Sequence, residues 1–171
     1  MSTNPRDRAE VRKRLAHIRI RLIETILRSA VDREAAIDTK LKQNINLKRT
    51  LKNFIRGLSI IYYFSFLQST IVESQWEQIK SPAGKQRVSF GSVDWDKFDL
   101  LKYARDCFAH NWDGQIFPSS QNNTRHFHTI MSRSTQTFLS LDFGKIILSD
   151  RATFECLQVI DSIIKEGTIV V

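Results

Sequence analysis

Fifteen consecutive residues, LSIIYYFSFLQSTIV at 58–72, constrain this chain more than any other stretch. A membrane-spanning helix needs ~20 mostly apolar residues. This run is shorter, contains Ser59, Ser65, Gln68, Ser69 and Thr70, and is bracketed by Arg56, Glu73 and Glu77. A helix that is apolar on most sides yet too short to span belongs at the centre of a helical domain. With 171 residues, 42% of them apolar, the chain can bury a real core as a single domain, 1–171. Only 6 Gly and 3 Pro interrupt it, so the expected class is mainly α.

Periodicity extends that picture in both directions. Residues 5–42 read as one long helix, with Pro5 in a first turn and Val11, Leu15, Ile18, Leu22 and Ile26 as an apolar stripe. Asn44-Ile45-Asn46 reads as a break, and a second long helix is expected over 47–79, antiparallel to the first. Ser81 to Lys85 is a turn, and Val88 to Val93 is short and extended. Asp94 or Ser92 can cap a third helix, 94–110, which Asn111, Asp113 and Gly114 end. Residues 115–134 are polar and read as irregular. A β-hairpin is expected within 135–148, around Asp142-Phe143-Gly144. Ser149 or Asp150 then caps a last helix, 149–166, with Phe154, Leu157, Ile160, Ile163 and Ile164 on its apolar face and Gly167 stopping it.

The net charge of +8 is confined to one end. Residues 1–56 hold 15 Lys/Arg against 6 Asp/Glu, and the remainder holds 11 against 12. A concentrated basic face attracts polyanions, nucleic acid foremost, and equally serves as a solvated face that keeps a protein soluble. Arg12, Arg14, Arg19, Arg21, Lys48, Arg49 and Lys52 are the RNA-binding candidates on it. Cys107 and Cys156 sit among apolar neighbours and read as buried, reduced thiols. MSTNPRDRAEVRKR has no apolar core of a secretory signal, so the expected location is cytoplasmic, with no membrane partner.

One stretch carries chemistry: RDCFAHNWDG, 105–114. Histidine titrates near neutrality and serves as proton donor or acceptor. Arginine stays charged and grips two phosphate oxygens at once. At ~100° per residue, positions 105 and 110 are about 140° apart around a helix and do not stack on one face. They meet only if the helix ends between them or if a second chain brings its copy alongside. The plainer alternative is that Arg105 pairs with Asp106 or Asp113, and His110 caps helix-terminal carbonyls.

Arg105-Asp106-Cys107-Phe108-Ala109-His110 resembles the Arg-polar-x-x-x-His signature of HEPN-domain ribonucleases. The resemblance covers the helices, roughly 5–110 and 149–166, while the segment 115–148 departs from the simplest bundle. It implies an α-helical bundle built on two long helices, a homodimer with the two motifs facing each other, and RNA cleavage without a metal or cofactor. It further implies a role in bacterial defence or a toxin–antitoxin pair, with an antitoxin or other defence-system protein as partner. On that reading His110 moves protons, Arg105 holds transition-state charge, and Asp106 and Asn111 orient them. The 2′-OH of RNA is the nucleophile, so products end in a 2′,3′-cyclic phosphate.

Other constellations are weaker. Cys107 and His110 are three apart, a conceivable thiolate dyad. His126 and His128 would share one side of a strand but are too few for a closed zinc site. Gly84-Lys85 lacks the rest of a phosphate loop. Trp112 follows His110 in a turn and is a candidate for base stacking or for packing. A non-catalytic module that binds RNA, a nucleotide or a protein is the competing function, and a helical protein without a nucleic-acid partner is the third.

Overall fold

The computed structural model describes residues 5–40, 44–118 and 121–167, and within the first helix only part of the side chains. Among the described residues there are α1 (Pro5–Lys40), α2 (Ile45–Thr70), α3 (Glu73–Ile79), α4 (Trp95–His110), α5 (Asn122–Arg133), β1 (Leu139–Asp142), β2 (Lys145–Leu148) and α6 (Ala152–Glu166). A 3-10 turn, Lys85–Ser89, lies between α3 and α4. The fold is therefore mainly α, with a small antiparallel hairpin before the last helix.

The apolar run forms the centre. Ile60, Tyr63, Phe64 and Leu67 of α2 are essentially inaccessible to water, and α2 packs chiefly on α4 and α6. Asn44 caps α2, its side chain accepting from the Leu47 N–H, as a short polar residue at a helix start does. Asp94 caps α4 in the same way, accepting from Lys97 N–H.

The expected second helix, 47–79, is in fact two. Ile71 and Val72 take extended conformations (ψ 154° and 141°), and α3 begins at Glu73. Three successive β-branched residues, Thr70 to Val72, weaken the helix there, and burial of Ile71 holds the bend. The segment expected to be extended, Val88 to Val93, contains the end of the 3-10 turn and no strand. The stretch expected to be irregular holds α5. Its polar composition hides Thr124, Phe127 and Ile130, spaced by three and all buried. His126 and His128 consequently lie on a helix, not on one side of a strand.

At the last helix neither Ser149 nor Asp150 is the cap. Arg151 precedes Ala152 without a side-chain cap, while Ser149 accepts at Oγ from the Arg151 N–H. Phe154, expected on the apolar face, is 55% exposed; Ile160, Ile163 and Ile164 are buried as expected. On α1, Ile18 is 56% exposed and Ile20 buried, so the contact face is turned from the expected stripe. The side chains of Val11, Leu15, Leu22 and Ile26, and the tail 168–171, lie outside the described residues.

The hairpin turns on Phe143-Gly144, both at positive φ (46° and 73°), the geometry of a two-residue type I′ turn. Its inner strand has no bare edge. Asn53 of α2 donates from Nδ2 to Ile146 C=O (2.8 Å) and accepts at Oδ1 from Leu148 N–H (2.8 Å). Arg56 donates to Leu148 C=O, and Ile146 N–H donates to Gly114 C=O. A helix side chain thus does what a third strand would do.

Asn53→Leu removes that fastening and leaves two buried backbone groups without partners. The expected loss is about 2–4 kcal/mol of unfolding free energy, read from the urea midpoint at unchanged slope. A loss below about 0.5 kcal/mol would mean that water or relaxation satisfies β2 instead.

Candidate functional site

The motif occupies the last turns of α4. The helix continues unbroken to His110, and Asn111 follows as C-cap, its N–H donating to Cys107 C=O (2.7 Å). The turn beyond is rigid. Asn111 Nδ2 donates to Gln115 C=O, and Lys145 pairs with Asp113, which lowers the Asp113 carboxyl pKa below the ordinary value. Gly114 sits at φ 75° with Phe108 packed so close that a Cβ would lie 2.6 Å from its ring. No other residue fits there without strain. Phe108 also fills the space over Gly57, so α2 and α4 approach closely at the motif.

Arg105 and His110 do not meet within one chain. The Arg105 guanidinium carbon is 5.7 Å from the centre of the Phe64 ring, on the α2 side of α4. His110 lies edge-on to Phe117 at 5.6 Å, beside the segment that leads to α5. The helix does not end between the two positions, which removes one of the two ways to unite them.

Arg105 is incompletely satisfied. Its Nε is buried and forms an ion pair with Asp106 (3.2 Å to Oδ1), the pairing that the plainer alternative expected, though without hydrogen-bond alignment. Asp106 also receives Lys102 Nζ at 3.1 Å, so one carboxylate faces two cations. The His110 side chain is exposed and makes no hydrogen bond or ion pair among the described residues. It therefore does not cap the helix carbonyls. Asn111 is committed to its turn and supports the motif through the backbone.

Cys107 is buried, and desolvation pushes its thiol up to about 11, so it is no thiolate partner for His110. Trp112 is 61% exposed and touches the Phe54 ring edge-on at 6.2 Å, half platform and half packing.

The basic candidates divide. Arg14 and Arg21 are exposed on α1, Arg14 at 3.5 Å from Glu10. The side chains of Arg12 and Arg19 lie outside the described residues. Lys48 and Lys52 both hold Asp38, and Arg49 holds Asp142. The Asp38 pairs are partly buried, so Lys48 and Lys52 are engaged within the fold, while the more exposed Arg49 pair is worth little.

Sequence reasoning missed a second polar centre next to the motif. Arg87 and Asp99 form a buried two-bond pair (2.8 and 2.7 Å), Arg87 Nε donates to Ile79 C=O, and the guanidinium stacks on Trp95. His126 Nε2 lies 2.9 Å from Asp99 Oδ2. One signal was available: Asp99 lies four residues from both Trp95 and Tyr103, among core aromatics where a carboxylate requires a cation.

None of the family models, curated proteins or solved structures compared with the chain matches it. Among the described residues no helix is long and apolar enough to cross a membrane.

Proposed function

We propose that this chain is a metal-independent endoribonuclease of the HEPN type, acting as a homodimer in bacterial defence or as the toxin of a toxin–antitoxin pair. The observation that carries the reading is the state of the motif: a guanidinium whose ion-pair partner, Asp106, is shared with Lys102, and an imidazole with no hydrogen bond or ion pair among the described residues, at one helix end. A carboxylate shared by two cations leaves guanidinium donors over for an oxyanion. A phosphodiester supplies the missing acceptors.

The chemistry follows from RNA itself. His110 takes the proton from the 2′-OH as that oxygen attacks phosphorus. The bond from phosphorus to the 5′-oxygen breaks, the proton held by His110 passes to that departing oxygen, the 2′,3′-cyclic phosphate remains, and no cofactor enters. Arg105 neutralises the extra charge on the phosphoryl oxygens in the transition state. Asp106, shared between Lys102 and Arg105, sets the guanidinium orientation.

Because Arg105 and His110 face different sides of α4, the site is assembled from Arg105 of one protomer and His110 of the other. Beside Arg105, α2 carries a half-exposed to exposed apolar row, Phe54, Leu58, Ile61 and Tyr62, suited to a second copy. Tyr62 and Leu58 are 58% and 47% exposed.

A mixing experiment tests this arrangement. Arg105→Ala and His110→Ala are each inactive alone. After co-refolding, half of the dimers are mixed, and each mixed dimer holds one intact site. Cleavage of a fluorescent RNA should return to about one quarter of the native rate. No recovery, with mixed dimers verified by mass, would refute the shared site. The same substrate cut by a species that sediments only as monomer would do so as well.

A further inference from the structure

We propose that the cleft between α4 and α5, centred on His126, binds a backbone phosphate of the RNA strand whose neighbouring phosphate sits on the motif. The identity of the ligand rests on the ribonuclease reading above. Lys80, Lys102, Tyr103, Asp106, Asn123 and His126 line the cleft.

The Arg87–Asp99 pair is complete by itself. Its charges cancel, both carboxylate oxygens are used, and Arg87 is fixed further by Ile79 C=O and by the Trp95 ring. His126 is not needed to neutralise Asp99. What the contact does is hold the imidazole: Nε2–H donates to Asp99, and the ring is locked with Nδ1 left over. The His126 side chain is 36% exposed and has no other hydrogen-bonded partner among the described residues. In its protonated form it donates from Nδ1 to an anion while keeping Asp99.

The surroundings select the anion. The charged groups of the cleft around His126 are Asp99, Lys102, Asp106 and Lys80, with Arg87 behind Asp99. Asp99 is matched by Arg87 and Lys80 by Glu77, while Asp106 is shared by Lys102 and Arg105, which leaves one cation over. The free volume is about 30 Å³, room for one phosphoryl oxygen and too small for a base. Recognition here is therefore of the backbone and blind to sequence. Asp106 belongs both to the cleft and to the motif, and Asp99, which holds His126, precedes Arg105 by six residues, about 9 Å along α4.

The test uses the full chain and a 2′-O-methylated, uncleavable 12-mer in fluorescence anisotropy across a salt series. His126→Leu should weaken binding about tenfold and reduce the salt slope by about one. A DNA 12-mer should lose the same factor, since only phosphate is contacted. On cleavable RNA the variant should raise KM and leave kcat within about twofold. In the native chain, the ¹⁵N resonance of His126 Nδ1 should shift when the 12-mer is added.

Native affinity and slope in His126→Leu, with an unmoved Nδ1 resonance, would overturn the subsite even if the variant is less stable. A 5′-mononucleotide competing as well as the 12-mer would overturn the backbone assignment. If the native chain binds through His126 but cuts no RNA, the subsite stands and the ribonuclease reading falls. If it cuts RNA with His126 indifferent, the reverse holds.

Discussion

Arg105→Ala and His110→Ala are each expected to abolish RNA cleavage in EDTA, by on the order of 10²–10⁴-fold, while leaving the fold intact. His110 is exposed and unbonded, so its removal should alter stability by no more than about 0.5 kcal/mol, whereas Arg105, mostly buried at Phe64 and paired with Asp106, should cost about 1 kcal/mol. That separation is the informative part. A residue that merely finishes a helix would change stability and leave a rate unaffected. The native fragments should carry 2′,3′-cyclic phosphate ends, and a single 2′-deoxy substitution at the cleavage position should protect the strand. Equal cutting by native and both variants would assign the activity to a contaminant and return the motif to the role of a helix end. Retained RNA binding with no cutting by any of the three would favour a binding module.

The second large effect concerns stability. Arg87→Met leaves Asp99 buried (side chain 7% exposed) without its cation, and the loss should be about 3–5 kcal/mol in urea unfolding. The pair is not irreplaceable, however. Removing both charges together, Arg87→Met with Asp99→Leu, should recover most of that loss, because two desolvated ions give way to packed apolar groups. The double variant also frees His126 from its holder. Its RNA affinity should fall like that of His126→Leu although its stability has returned. A stable double variant with native RNA affinity would show that the imidazole does not depend on Asp99 for its orientation.

Much of the helical frame was legible in the chain. Asp94 announced a helix start because a short polar side chain can satisfy the first free N–H groups, and it does so; Asn44, legible only as part of a break, does the same for α2. The 58–72 run announced the centre because no other position in a protein of this size accepts so many apolar residues together. The failures were equally physical. Asn122–Arg133 looked irregular because only three of its residues face the core, and a polar helix of that kind depends on what it packs against. The bend at Ile71–Val72 looked like continued helix because β-branched residues only weaken a helix, and the burial that decides the matter is tertiary.

The candidate site divides along the same line. The sequence alone determined that an arginine and a histidine five apart lie at a helix end, and that their angular separation forbids an ordinary stacked pair. Those facts follow from helix geometry and from turn-forming residues within a few positions. Only the tertiary structure decided that Arg105 faces α2 and shares Asp106 with Lys102, and that Asn53 replaces a missing strand for residues more than 90 positions away. It alone joined Arg87, Asp99 and His126 into one chain of bonds beside the motif. Capping and periodicity act through backbone sterics and neighbours within about four residues. Polar partnership depends on which elements pack together, and that is set by the burial of the whole core.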